Sequence, residues 1–158
     1  MPAYEEAASY YRDRGTSDDF SLEGLTEGEC SSGVIDMIES DLEAARQFLL
    51  QARDNDPDLS IVKKALLFSA RALLVGKGSD PRGELDVVHE FVHKFVSTGI
   101  CSPDLQNLGD VLKSLCNKTI SRQAACDYAS RLYREAIETY ALMDSNFRFP
   151  VRYNTKQS

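Results

Sequence analysis

The chain predicts an all-α protein, an up-and-down helical bundle of about five helices preceded by an acidic N-terminal arm. Three observations predict it. Apolar residues recur every three or four positions over long stretches, as in Val34, Ile35, Ile38, Leu42, Ala45 and Leu49, a spacing that lines one face of a helix. Short breaks rich in Gly, Pro, Ser and Asp separate these stretches, and such breaks punctuate elements. No segment of useful length alternates apolar and polar residues as a half-buried strand does.

Taken in order, residues 3–12 can form a short helix, but residues 12–32 combine few large apolar side chains with many acids, glycines and serines, the composition of an arm or linker. The first long amphipathic helix is expected to start near Ser32 or Gly33. It should stop before Asn55-Asp56-Pro57, because proline disfavours helix in the residue before it. A second helix is expected over residues 58–76. Its apolar positions wrap most of the circumference and leave a narrow polar seam of Ser60, Lys64 and Arg71, so it should be the most buried element. Gly76 and Gly78 offer a left-handed stop, and Asp80-Pro81 has the form of an N-cap and first position for a third helix, closed by Gly99. Ser102-Pro103 repeats that start signal for a fourth, to about residue 117, and Thr119 or Ser121 opens a fifth, to about residue 143. The expected organisation is therefore an arm over 1–30, a bundle over 31–146 and a tail over 147–158. That tail alternates aromatic and basic residues. Such interleaving can stack on a single nucleic-acid strand; an aromatic-anchored segment lying against its own domain is the simpler reading.

At 158 residues the chain is one domain by size. No apolar run approaches the roughly 20 residues of a membrane span, and no signal-peptide pattern opens it, so a cytoplasmic protein without membrane association is expected. Cys30, Cys101, Cys116 and Cys126 form no CxxC pair and read as free thiols of a reducing compartment. The net charge of -7 argues against broad attraction to nucleic acid or anionic membranes. The imbalance is local: residues 1–60 carry 15 acidic and 4 basic side chains, residues 61–158 carry 10 and 14.

One motif points to an enzyme. His89-Glu90-Phe91-Val92-His93 has the HExxH spelling, which puts two imidazoles one helical turn apart to hold zinc, with the glutamate as general base. On an ideal helix both histidines fall just past the apolar arc of Leu85, Val87, Val88, Phe91, Val92, Phe95 and Val96, on a flank shared with Asp86 and Ser97. The chain has no third histidine, so Glu135 or Glu138 would have to complete a zinc site, and no strand pattern exists to grip an extended peptide. A solvated helix flank is the preferred reading, and no cofactor is expected. Cys30 just before a helix N-terminus would gain thiolate character from the dipole, opposed by the neighbouring Glu27 and Glu29. Arg71 is either part of an exposed seam with Lys64, which is favoured, or a ligand for a carboxylate or phosphate.

The residues around the motif carry a different message. Ala70-Arg71-Ala72-Leu73-Leu74, a glycine turn, and His93-Lys94-Phe95-Val96-Ser97-Thr98-Gly99 resemble the HEPN family of helical bundles. The stretches running from Gly28 to Leu42 and from Tyr140 to Ser145 look like the C-terminal HEPN-type module fused behind sulfite/nitrite reductase-like and sulfur-carrier domains. The resemblance covers about residues 28–146. It implies a helical bundle, a homodimer, and an accessory role beside reductase or sulfur-carrier domains in sulfur metabolism, with the acidic arm as the remnant of a linker in a longer protein. Many HEPN proteins resemble metal-independent ribonucleases with an Arg and a His separated by four to six intervening residues, late in the bundle. Here no histidine follows His93, and Arg82 with His89 has the permitted spacing in an earlier place. The resemblance therefore implies a non-catalytic interaction module; its alternatives are a ribonuclease using Arg82 and His89, or a nucleotide-binding domain using Arg71.

Overall fold

The computed structural model describes residues 27–54 and 59–154. The expected short helix over residues 3–12 lies outside them, as does most of the acidic arm. Helix α1 spans Glu27–Asp54 and buries Ile38, Leu42, Ala45, Leu49 and Ala52, the stripe that the periodicity marks. It begins upstream of the expected Ser32 or Gly33, so Gly28, Ser31, Ser32 and Gly33 are helical despite propensities that cost up to about 1 kcal/mol per glycine. Helix α2, Leu59–Gly76, is apolar nearly all round and packs on α1. Ten consecutive residues, Ala65 to Leu74, are buried.

The end of α2 is a Schellman turn. Gly78 takes φ +77°, the Ser79 N–H reaches the Leu74 carbonyl at 2.9 Å, and the Gly78 N–H reaches Val75 at 3.0 Å, which satisfies carbonyls the helix itself leaves open. Helix α3, Glu84–Phe91, starts later than the Asp80-Pro81 signal indicates. Gly83 is its N-cap and gives no side-chain cap; instead the Asp86 carboxylate reaches back from the first turn to accept the Arg82 N–H at 3.1 Å. The helix then widens into a π-turn over Val92–Val96, with the Ser97 N–H on the Val92 carbonyl at 2.8 Å. A π-turn inserts one residue into the helical repeat, and here Phe95 and Val96 are both buried while His93 stays exposed.

Ser102-Pro103 opens a short 3-10 turn, Pro103–Leu105, and not a long helix. Helix α4 follows over Leu108–Asn117 and ends on Lys118, left-handed at φ 58°. Helix α5, Arg122–Ala141, begins at Ser121, whose hydroxyl accepts the Ala124 N–H, one of the two expected starts. α2 is the hub: it packs on α1 and α5, and also on α3 and α4. The result is an all-α helical bundle of five α-helices among the described residues.

After α5 the chain turns back on the bundle. The Asp144 carboxylate accepts the N–H groups of Asn146 at 2.8 Å and Arg148 at 3.0 Å, and these bonds hold its pKa below the ordinary carboxylate value. Phe149 enters the core edge-on to Phe95, with ring centroids 5.2 Å apart. Both Arg152 and Tyr153 then donate their backbone N–H to the Gly99 carbonyl at 2.8 Å. The segment from residue 142 to 154 is a strap across the bundle.

Candidate functional site

The HExxH residues sit on α3 and its π-turn with both histidines exposed. Glu90 is ion-paired at 3.1 Å to Lys94, which also bonds the Ser79 hydroxyl at 2.6 Å. The two carboxylates that could complete a zinc site are engaged elsewhere. Glu135 accepts the Ser102 N–H, the Arg152 guanidinium and the Tyr153 hydroxyl, and Glu138 pairs with Arg152 at 3.5 Å. Among the described residues no three His, Cys, Asp or Glu side chains gather to hold a metal ion.

Arg82 is exposed, as is His89, and the Arg82 N–H donates to the Asp86 carboxylate, the bond that sets the start of α3. Arg71 requires a correction. The expected polar seam of α2 holds for Ser60, which is exposed, and for Lys64, which is half-buried with its ammonium 5.4 Å from the Phe48 ring centroid. It does not extend to Arg71, which is only 5% exposed, because neighbouring helices enclose this part of α2. On α1, Asp41 is wholly buried too. Its position was readable: it lies three residues after Ile38 and four before Ala45, within the apolar stripe. Cys30 falls inside the first turn of α1 and not ahead of it.

The tightest polar cluster is where the strap meets α5. Arg152 donates to the Ile100 carbonyl at 3.2 Å, to Glu135 at 3.1 Å and to the Thr139 hydroxyl at 2.6 Å. Beside it the Cys101 thiol lies 3.4 Å from the Thr139 hydroxyl. Burial pushes that thiol from 9.0 up to about 11, against the opposing bond to Thr139, so it is an inert core group. Glu135 and Thr139 are buried and Arg152 is half-buried, and the cluster fastens the strap.

An open surface of different character lies between α1 and α5. The two helices run antiparallel, since Tyr140 bonds Glu39 at 2.8 Å while Arg53 bonds Ser130 at 3.0 Å. Each presents a stripe at helical spacing. On α1 it is Arg46, Leu49, Leu50 and Arg53; on α5 it is Ser130, Tyr133, Arg134 and Ile137, and together they line a groove of about 350 Å³. Leu50 is 38% exposed and Ile137 37%, so the groove has an apolar floor open to solvent. Burial raises the Tyr133 pKa and the nearby Arg46 opposes that rise. Beyond the groove the surface of α5 is of mixed charge, with Arg122 and Arg131 beside Asp127 and Glu138, and Arg131 is ion-paired to Asp104. Both stripes are legible in the sequence at three- and four-residue spacing, but nothing in the sequence says that they face each other.

Among the described residues no helix is long and apolar enough to cross a membrane. No protein-family model, curated protein or solved structure matches this chain.

Proposed function

We propose that the chain is a non-catalytic HEPN-like accessory module that works by surface recognition, as a homodimer and beside reductase or sulfur-carrier domains of sulfite/nitrite reductase-type proteins. The HEPN resemblance supports this reading, and so does the kind of residue that carries it. Ala70, Ala72, Leu73, Leu74, Phe95 and Val96 are all core residues, so these shared letters describe the packing of a bundle. The observation that carries the non-catalytic part is the state of α3. The carboxylates beside Arg82, His89 and His93 are engaged, Glu90 with Lys94 and Asp86 with the backbone N–H of Arg82.

The rival is a ribonuclease using Arg82 and His89, and it is favoured by their exposure, which leaves both side chains accessible to a substrate. Incubating the purified chain and its His89→Ala variant with single-stranded RNA separates the two. The accessory reading expects no cleavage above background from either protein. Robust cleavage that disappears in His89→Ala overturns it.

A further inference from the structure

We infer that the groove between α1 and α5 docks an acidic amphipathic helix of a partner protein, one with an apolar stripe flanked by Asp and Glu. This deepens the interaction-module reading and rests on it only in requiring a partner. The groove is built by α1 and α5, whereas the histidines belong to α3, so its test is separate from any activity at His89.

The shape argues first. Two antiparallel helices leave a trough between them, and the mode in which a third helix fills such a trough uses apolar anchors at three- and four-residue spacing. Leu49, Leu50, Tyr133 and Ile137 form the floor, with Leu50 and Ile137 exposed enough to receive those anchors. Charge argues next. Arg46 and Arg53 border the floor on α1 and Arg134 borders it on α5. Among the described residues Arg134 takes part in no hydrogen bond or ion pair. Arg53 is held by the neutral Ser130 hydroxyl, and Arg46 meets only the exposed Glu43 of its own helix. Arg46 and Arg53 are seven residues apart, about two helical turns, and so match carboxylates that recur every second turn of a partner helix; guanidinium groups bind carboxylates in a forked geometry.

The same charges disfavour other occupants. A second copy docked through this face about a two-fold axis would set arginines against arginines. Without a broad positive field, a nucleic-acid strand is held by several stacking rings; the groove has one aromatic residue, Tyr133, whereas its apolar floor of Leu49, Leu50 and Ile137 suits the apolar stripe of a helix.

The test uses three fluorescent probes with the full chain. One is a helical peptide of about 20 residues with Leu at heptad-like positions and Glu flanking them, the second replaces each Glu by Lys, and the third is a single-stranded oligouridylate. The expected result is saturable binding of the Glu peptide, at least about tenfold tighter than the Lys peptide, as for an interface selected by charge. Arg53→Glu with Arg134→Glu should weaken it by about tenfold or more, and Leu50→Glu should do so independently, with unchanged circular dichroism in both variants. Equal affinity for the two peptides, indifference to both variants, or no binding up to about 1 mM overturns the proposal, 1 mM being the weak end of specific association. Oligouridylate binding that the arginine variants abolish assigns the groove to nucleic acid and overturns it as well. Light scattering that shows a dimer broken by Leu50→Glu assigns it to a second copy, with the same consequence. None of these outcomes depends on whether RNA is cleaved, so this inference and the accessory reading fail separately.

Discussion

Glu135 illustrates how much one buried carboxylate fixes. It is 7% exposed, where an ionised group loses most of its hydration and is tolerated only with several partners. Ser102, Arg152 and Tyr153 supply them, from the loop after the π-turn and from the strap. Removing Arg152 leaves the charge buried without its counter-ion. Because the Arg152 side chain keeps 19% of its surface in solvent, the expected cost of Arg152→Met is below that of a fully buried pair, about 2–4 kcal/mol. Glu135→Gln should cost less, about 1–2 kcal/mol, since the amide still accepts the Ser102 N–H. The double variant should lose clearly less than the two single losses added together. Urea unfolding followed by circular dichroism measures all three, and strict additivity would show that the two side chains do not act as a pair.

At the scale of elements, the end of α2 and the strap are matched by the absence of a side chain at Gly76. A Cβ built there would lie 2.9 Å from Cζ of Phe149, closer than carbon atoms pack. Alanine is the better helix former by about 1 kcal/mol, yet overpacking of a core usually costs about 1–3 kcal/mol. Phe149 cannot move aside freely, because Phe95 meets its ring and the Gly99 carbonyl anchors the chain three residues on. Gly76→Ala should therefore destabilise by about 1–2 kcal/mol, and in a Phe149→Ala background the same change should become neutral or stabilising. Thermal melts of the four proteins check this; an equal penalty in both backgrounds would place the clash elsewhere. Gly76 and Gly78 also show which parts of the fold were legible. The glycine stop, the Ser121 cap and the apolar stripe of α1 are local signals and occur as expected. The π-turn and the burial of Arg71 are not carried by their own segments: the Cys101 N–H of the following loop closes on the Phe95 carbonyl, and neighbouring helices enclose Arg71. The late start of α3 turns on the Asp86 carboxylate taking the Arg82 N–H, a local bond that competes with the Asp80-Pro81 start signal. The site followed the same rule: the exposed flank of His89 and His93 was readable from one helix, whereas the α1 and α5 groove required knowing which helices are neighbours.

For the molecule as a whole, α2 is enclosed by α1 and α5 and by α3 and α4, and the strap closes the end where α2, α3 and α5 meet. The strap is short, but its contacts are of the kinds that weigh most. Phe149, 8% exposed, fills space between Gly76 and Phe95, and loss of a core phenylalanine side chain costs about 3–5 kcal/mol. Deleting residues 147–158 also strips Glu135 of Arg152 and Tyr153 and frees the Gly99 carbonyl, which adds about 2 kcal/mol or more. The combined loss, of the order of 5 kcal/mol or more, approaches the whole stability of a marginal domain, about 5–15 kcal/mol. In a chain of this size each kcal/mol moves the melting midpoint by about 2–4 °C, so truncation after Asn146 should lower it by at least about 10 °C. Hydrogen exchange should locate the damage: amides of residues 95–101 and 135–139 should lose protection first, while those of α1 around Leu42 and Ala45 keep theirs. A truncated chain that melts within about 3 °C of the intact one, a shift worth about 1 kcal/mol, would show that the strap is an appendage and that the five helices close their core without it.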